Sequence, residues 1–447
     1  MNTTKRMQKK IRAGSAVIAL TLITAGLTRE VSYKILYDTI TRPYGNSISV
    51  SIPFIVLVVG TIMAKGTRLH LVNESQRDII GFLLLGIASV LFLPINSGGT
   101  RAYLIGAVKY LQYLIVVVFL RCYSKEEYIA GLRSGFALGV ILQTVVGGLY
   151  IFFGIQIPFL TGTNTGIRND RLRMVGTFSH PGSFSLYIGI IMLFFLCEYL
   201  FDKKKFSLLY LVMAGIDLYL SGARTMLVAA AVVSWVILIR RYRNSILLKL
   251  GLILTVSLAF YWFIQSDIYQ ELFIENSAFD MLLVRLGHSI IGLQILFSSV
   301  INAFFGVGLN YHVDFKVLHA SQFSWITGFL MRSSRYTTYE VGISVPVHNS
   351  FLVAGDELGL FGLILYIGIF VRWILSIANL LKNRKRFDQE KLGELIFCFS
   401  AACVLIIYCL QGWAMHQTHG WYLLILLRSL TGVVTRELGS KERVLTK

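Results

Sequence analysis

Long apolar stretches, broken at short intervals by polar and basic residues, recur along the whole chain. A run of roughly 20 apolar residues makes a helix long enough to cross a bilayer. The pattern predicts spans at about 12–28, 48–64, 79–95, 102–120, 129–154, 183–201, 206–220, 224–239, 247–264, 348–372, 393–411 and 420–435. The expected fold is an all-α polytopic membrane protein of about 12 transmembrane helices, a single integral membrane domain over 1–447.

One segment fits this scheme less simply. Between 277 and 305, Phe279, Leu282, Leu286, Ile290, Leu293, Phe297, Val300 and Phe304 recur at helical spacing, but Asp280, Arg285 and His288 interrupt them. It reads either as a further span or as an amphipathic helix at the outer interface. A thirteenth crossing would invert the charge bias downstream, which favours the interfacial reading. One large outer loop, about 265–347, then carries this helix.

Composition agrees with the pattern: 55% of the 447 residues are hydrophobic and 15% charged, with mean hydropathy +0.67, too apolar for a water-soluble domain. A net charge of +19 would suit a nucleic-acid binder, but the distribution argues against that class. Basic residues gather in short connections: Lys5, Arg6, Lys9, Lys10 and Arg12; Lys203, Lys204 and Lys205; Arg240, Arg241 and Arg243; Lys382, Arg384, Lys385 and Arg386. This positive-inside pattern puts both termini in the cytoplasm. The N-terminus has the basic start and apolar run of a secretory signal, but the many later spans favour an uncleaved first helix. Cys122, Cys197, Cys398, Cys403 and Cys409 fall within spans or at inner ends, so no outer pair is offered for a disulfide.

The same topology places His180, His288, His312, His319, His348, His416 and His419 on or near the outer side, and His70 inside. Arg168, Arg171 and Arg173 precede the sixth span, Arg224 opens the eighth, and Arg285 lies in the large loop. Arginine there can hold a phosphate bidentately, or snorkel, or pair with a nearby acid. His348 is either a histidine in the headgroup zone or a base titrating near neutrality, and Asn349 or Ser350 could cap the helix it opens. Asp356 and Glu357 lie roughly 12 Å down that helix at 1.5 Å per residue. Carboxylates at such depth are functional or paired.

Three stretches are more specific: Arg171 to Gly182 (RLRMVGTFSHPG), Leu220 to Thr225 (LSGART), and Phe305-Gly-Val-Gly308 followed by Val347 to Phe351 (VHNSF) and Glu357 to Gly362 (ELGLFG). Their order and their placement at outer helix ends resemble the O-antigen polymerase and ligase family, the Wzy- and WaaL-like enzymes of bacterial surface polysaccharide. The resemblance covers roughly 171–370. Gly182 departs from it, since the family often has asparagine after the proline.

The resemblance implies a GT-C-like glycosyltransferase in the bacterial cytoplasmic membrane, acting at its outer face on an undecaprenyl-diphosphate-linked oligosaccharide. It implies His348 as general base, Arg173, Arg224 and Arg285 as binders of the diphosphate, and His180, Asn349 and Glu357 in support, with Glu357 either orienting an arginine or the base or forming a structural ion pair. A flippase and a chain-length regulator of the same pathway are the implied partners besides the lipid bilayer. No cofactor is expected. Asp-x-Asp is absent and His416-x-x-His419 is weak as a ligand pair, so no metal is expected. No Walker loop or serine-hydrolase elbow occurs. Polymerase and ligase share this chemistry and differ in acceptor. A transporter of lipid-linked oligosaccharide is the alternative from another class, but no repeated halves are visible.

Overall fold

The computed structural model describes residues 2–25, 30–34, 47–65, 77–92, 99–157, 160, 167–168, 171–178, 180–242, 277–323, 347, 349–382, 387–412 and 418–445. In chain order the helices are α1 (Asn2–Ala25), α2 (Ile52–Lys65), α3 (Arg77–Phe92), α4 (Gly99–Phe119), α5 (Lys125–Phe153), α6 (Pro181–Phe201), α7 (Phe206–Leu220), α8 (Arg224–Arg241), α9 (Ser277–Leu296), α10 (Val300–Phe305), α11 (His312–Leu318), α12 (Ser350–Lys382), α13 (Gln389–Gln411) and α14 (Thr418–Leu445). Two short antiparallel hairpins, Glu30–Lys34 with Ser47–Ser51 and Ile167–Arg168 with Arg171–Leu172, are the described strands.

Each apolar run predicted as a span overlaps a helix, except 247–264, which lies outside the described residues; residues 48–51 of the 48–64 run belong instead to the Ser47–Ser51 strand. By length and composition α5, α6, α12 and α13 can each cross a bilayer, while Ile11–Ala25 of α1, α2 and α7 are apolar but shorter. The chain is a mostly helical membrane protein. All five cysteines are free.

Local chemistry sets the helix ends. Ser124 and Glu127 form a reciprocal capping box at the start of α5, and Gly154 closes that helix in the left-handed conformation, φ 68°. His180 caps α6 ahead of Pro181, and Asp388 caps α13 by accepting from Lys391 N at 2.9 Å.

Helix α6 is the axis of the bundle. It is apolar all round and buried along almost its whole length, with α7, α8 and α13 against it. Small residues let α1 approach α5: a Cβ on Gly131 would lie 2.8 Å from Ser15 O, and one on Gly135 would lie 2.9 Å from Ala19 Cα. The same core includes an aromatic group, Phe82, Tyr110, Tyr113, Tyr366 and Trp421 from α3, α4, α12 and α14, with ring centroids 5.2–6.2 Å apart.

The two ends of the bundle differ chemically. At one end ion pairs tie helix ends together: Lys125 to Glu394 (2.8 Å) and Glu437 (3.1 Å), Arg133 to Glu198 (2.6 Å), and Lys65 to Glu127. The opposite ends of α6, α7, α8, α12 and α13 meet around Arg173, His180, Arg285 and Ser350. Buried inside, Arg428 of α14 donates to Asp78 of α3 at 3.2 Å.

The segment read as one amphipathic helix over 277–305 is two helices. Ser299 breaks it by capping α10, accepting from Asn302 N at 3.0 Å. One face of α9 buries His288, Ile291, Gly292 and Ile295 against α12, while Leu286 and Leu293 are exposed.

Candidate functional site

Arg173 and the start of α8 meet across the last turn of α7. Arg173 Nε donates to Ser221 O at 2.9 Å, and Met174 N donates to Leu220 O at 3.0 Å, so the 171–182 and 220–225 stretches form one unit. Half-buried Arg173 has its pKa lowered by burial and by the like charge of Arg224. Two guanidiniums near enough to feel each other's charge suit an anion between them. Arg168 and Arg171 share a hairpin register, and their side chains lie outside the described residues.

His180 sits beside this pair. Its Nδ1 accepts from Gly182 N at 3.0 Å, which puts any ring proton on Nε2. His180 is exposed, yet partial desolvation by its neighbours and then the Arg173 charge lower its pKa, so the ring is largely neutral at neutral pH. Beneath the unit, Gln143 of α5 bonds Thr177 (2.7 Å), and Thr144 donates to Asp217 of α7 at 2.7 Å. Sequence reasoning missed Asp217, although an acid inside the apolar run 206–220 is a signal in itself.

The end of α13 joins this region to α9 and α12. Tyr408 lies 3.9 Å from where a Gly182 Cβ would stand, Arg285 Nη1 donates to Gln411 at 2.9 Å, and Ser350 Oγ donates to Gly412 O at 2.7 Å. Thus Arg173, Arg224 and His180 come together, and Arg285 is anchored on α13 at the same end of the bundle. Asn349 caps α12, its Oδ1 accepting from Phe351 N (3.0 Å) and Leu352 N (3.3 Å). His348, the expected base, lies outside the described residues, as does His416, and the side chain of His419 does too. Alongside this end, an apolar groove of about 470 Å³ runs between α12 and α13 from Phe351 and Leu410 to Ile374.

The remaining stretches meet lower on α12, where the helix breaks. Gly359 has φ 70° and ψ −167°, so the carbonyls of Asp356 and Glu357 lose their helical partners. Val307 N and Gly308 N replace them at 2.7 and 3.0 Å. The exchange is possible because Gly306 (φ 75°) and Gly359 both lack a Cβ that would run into the facing backbone. Phe305-Gly-Val-Gly308 and Glu357 to Gly362 are therefore two halves of one joint.

Four ionisable side chains are buried at this joint. His312 Nδ1 and Glu357 Oε1 lie 2.8 Å apart with no exposure beyond 2%, and Lys316 and Asp356 are both 0% exposed. Lys316 feels the Asp356 charge, but burial dominates and pulls its ammonium down to about 7. Neither carboxylate oxygen of Asp356 has a hydrogen-bond partner among the described residues. Glu357 thus meets His312 of α11. The signal for His312 and Lys316 was their i, i+4 spacing, which puts both on one face of α11. Among the described residues, no three His, Cys, Asp or Glu side chains are grouped to hold a metal ion.

Compared with known proteins, the chain matches no family model and no curated sequence.

Proposed function

We propose that this protein polymerises undecaprenyl-diphosphate-linked oligosaccharide repeat units into a surface polysaccharide, working at the outer face of a bacterial cytoplasmic membrane. The observation that carries the reading is the pairing of Arg173 with Arg224 at two adjoining helix ends, beside a neutral His180. A diphosphate leaves readily once its charge is stabilised, and preorganised guanidiniums supply that. The acceptor hydroxyl loses its proton to a base, for which His348 remains our choice. The groove between α12 and α13 opens beside Ser350 and offers hydrocarbon contact to a lipid tail. In this reading the fold is GT-C-like with about twelve spans, the arginine end faces outward, and the ion-paired end faces the cytoplasm.

The chemistry is equally that of a ligase passing the finished glycan to lipid A core or another acceptor. Glycan analysis separates the two: loss of a polymerase leaves single repeat units attached, and loss of a ligase leaves long chains on the lipid carrier. A flippase for lipid-linked oligosaccharide would also use outer cations but would elongate nothing. The direct test mixes purified protein with lipid-linked donor and acceptor, without nucleotide or metal. Elongation by the wild type and none by His348→Ala is the expected result. Full activity in His348→Ala would remove our base, and absence of elongation or transfer in the wild type would remove the enzyme reading.

A further inference from the structure

The acid that interrupts α7 is buried with a single partner. Asp217 is 0% exposed, its Oδ2 lies 2.7 Å from Thr144 Oγ1 of α5, and its Oδ1 has no hydrogen-bond partner among the described residues. Helix α7 packs on α5, α6 and α8, and the ionisable side chains of these helices are distant or engaged elsewhere. On α5, Tyr150 and Arg133 stand about 9 Å and about 16 Å from Thr144 along the helix axis, and Arg133 pairs with Glu198 of α6. Tyr187 of α6 donates to Leu22 O, Arg224 opens α8, and Tyr219 of α7 itself is exposed. None of these side chains forms a hydrogen bond or ion pair with Asp217.

An ionised carboxylate is not held in this way. A charge taken out of water with no cation beside it and one hydrogen bond to its oxygens is far costlier than a neutral acid, and the group keeps its proton instead. Counting protons leads independently to the same answer. Thr144 Oγ1 lies 2.8 Å from Val140 O as well as 2.7 Å from Asp217 Oδ2, and a hydroxyl has one proton to give. With Asp217 ionised, Thr144 is its donor, and the hydroxyl then meets Val140 O with no proton between the two oxygens. A proton on Oδ2 removes the conflict and reverses the first bond: Asp217 donates to Thr144, and Thr144 donates to Val140 O.

We propose that Asp217 is a neutral carboxylic acid at neutral pH, and that its proton completes a chain, Asp217 Oδ2 to Thr144 Oγ1 to Val140 O, which fastens the end of α7 to α5. The same end carries Ser221, whose N donates to Asp217 O at 3.0 Å and whose carbonyl accepts from Arg173 Nε. In the transfer reaction proposed above, on which this clause alone rests, a neutral Asp217 leaves the charge of Arg173 and Arg224 to the diphosphate and not to a counter-ion within the protein. The acid and its bond do not depend on that reaction.

Two substitutions separate the proton from the shape. Asp217→Asn keeps a neutral N–H donor for Thr144 in a side chain of the same outline. Thr144→Val keeps the outline of the partner and removes the oxygen that accepts the proton.

The test is infrared spectroscopy of the full-length protein in nanodiscs at neutral pH, reading the carbonyl stretch of a protonated carboxyl group, which stands clear of the carboxylate stretches. Subtracting the Asp217→Asn spectrum from that of the wild type should leave one acid carbonyl band and no carboxylate bands. In Thr144→Val that band should move to higher frequency, because its hydrogen bond is gone. Carboxylate bands in the difference, no acid band in it, or an acid band that Thr144→Val leaves in place overturns the proposal. Should Thr144→Val not accumulate, the Asp217→Asn difference decides alone. Asp217→Asn should accumulate in membranes like the wild type, and its failure to do so also overturns the proposal, since a neutral donor is all that the site is held to need. If the acid band is found while the wild type elongates no lipid-linked glycan, the neutral acid stands and the transferase reading fails. If glycan is elongated and the difference shows a carboxylate, the transferase reading stands and the neutral acid fails.

Discussion

His312 and Glu357 are 45 positions apart in sequence, yet their side chains meet at 2.8 Å inside the protein, neither more than 2% exposed. The contact ties α11 to α12 through groups that could not be buried singly.

Its first consequence concerns stability. Glu357→Ala removes one partner and leaves the other polar and buried, so it should destabilise the fold by about 3–5 kcal/mol. Glu357→Gln keeps a hydrogen-bonding amide and should lose less. Thermal unfolding of the purified protein in one fixed detergent checks the order, and equal losses in the two variants would show that the ionic contact is unimportant.

The break in α12 makes a second, steric prediction. Gly359→Ala would place a methyl group into the Phe304–Phe305 backbone at a positive φ, and Gly306→Ala would do so against Glu357 and Leu358. The strained dihedral alone costs about 1–3 kcal/mol, and the collision adds to it. Both variants should fall well below wild type in membrane accumulation. Gly215→Ala, where nothing lies within 4 Å, is the control.

Charge and shape can be separated at the arginine pair. Arg173→Lys keeps the cation but loses the planar fork that reaches Ser221 O, so glycan elongation should fall by about tenfold or more with little change in thermal stability. Arg224→Gln should remove the like charge and lower elongation further. Wild-type rates in both variants would falsify the diphosphate role.

His180 should behave as a cap that dislikes acid. Its folded pKa lies below the ordinary value of about 6.5, so the unfolded chain binds the proton more readily in that window. Its contribution is full above about 6.5 and is lost as pH falls through the folded value. His180→Asn retains an acceptor for Gly182 N and should flatten the acid-side loss, whereas His180→Ala should cost about 0.5–2 kcal/mol above about pH 6.5 and progressively less as the pH falls. Melting temperatures between about pH 5 and 8 distinguish the three proteins.

The helices were legible because hydrocarbon demands long apolar runs with every backbone group satisfied internally. The grouping of Arg173, Arg224 and His180 was legible for a related reason: cations retained against the positive-inside bias stand out from the charge pattern alone. Neither argument reaches the joint at Gly359. Hydropathy runs straight through 350–382 with no proline to mark a break, and Lys316 reads as an ordinary solvated cation in a loop.

By itself, then, the sequence determined an apolar helical chain in a membrane, a cap for α12 at Asn349 or Ser350, and which cations stand apart from the basic connections, because these follow from local composition and spacing. Tertiary structure alone decided that Glu357 faces His312, that Arg285 joins α13, and that the carbonyls of Asp356 and Glu357 accept from Val307 and Gly308. The physical reason is that a buried charge or an unpaired carbonyl states only that it needs a partner. Which of many distant residues becomes that partner is settled by the packing of helices whose separation along the chain carries no record of it.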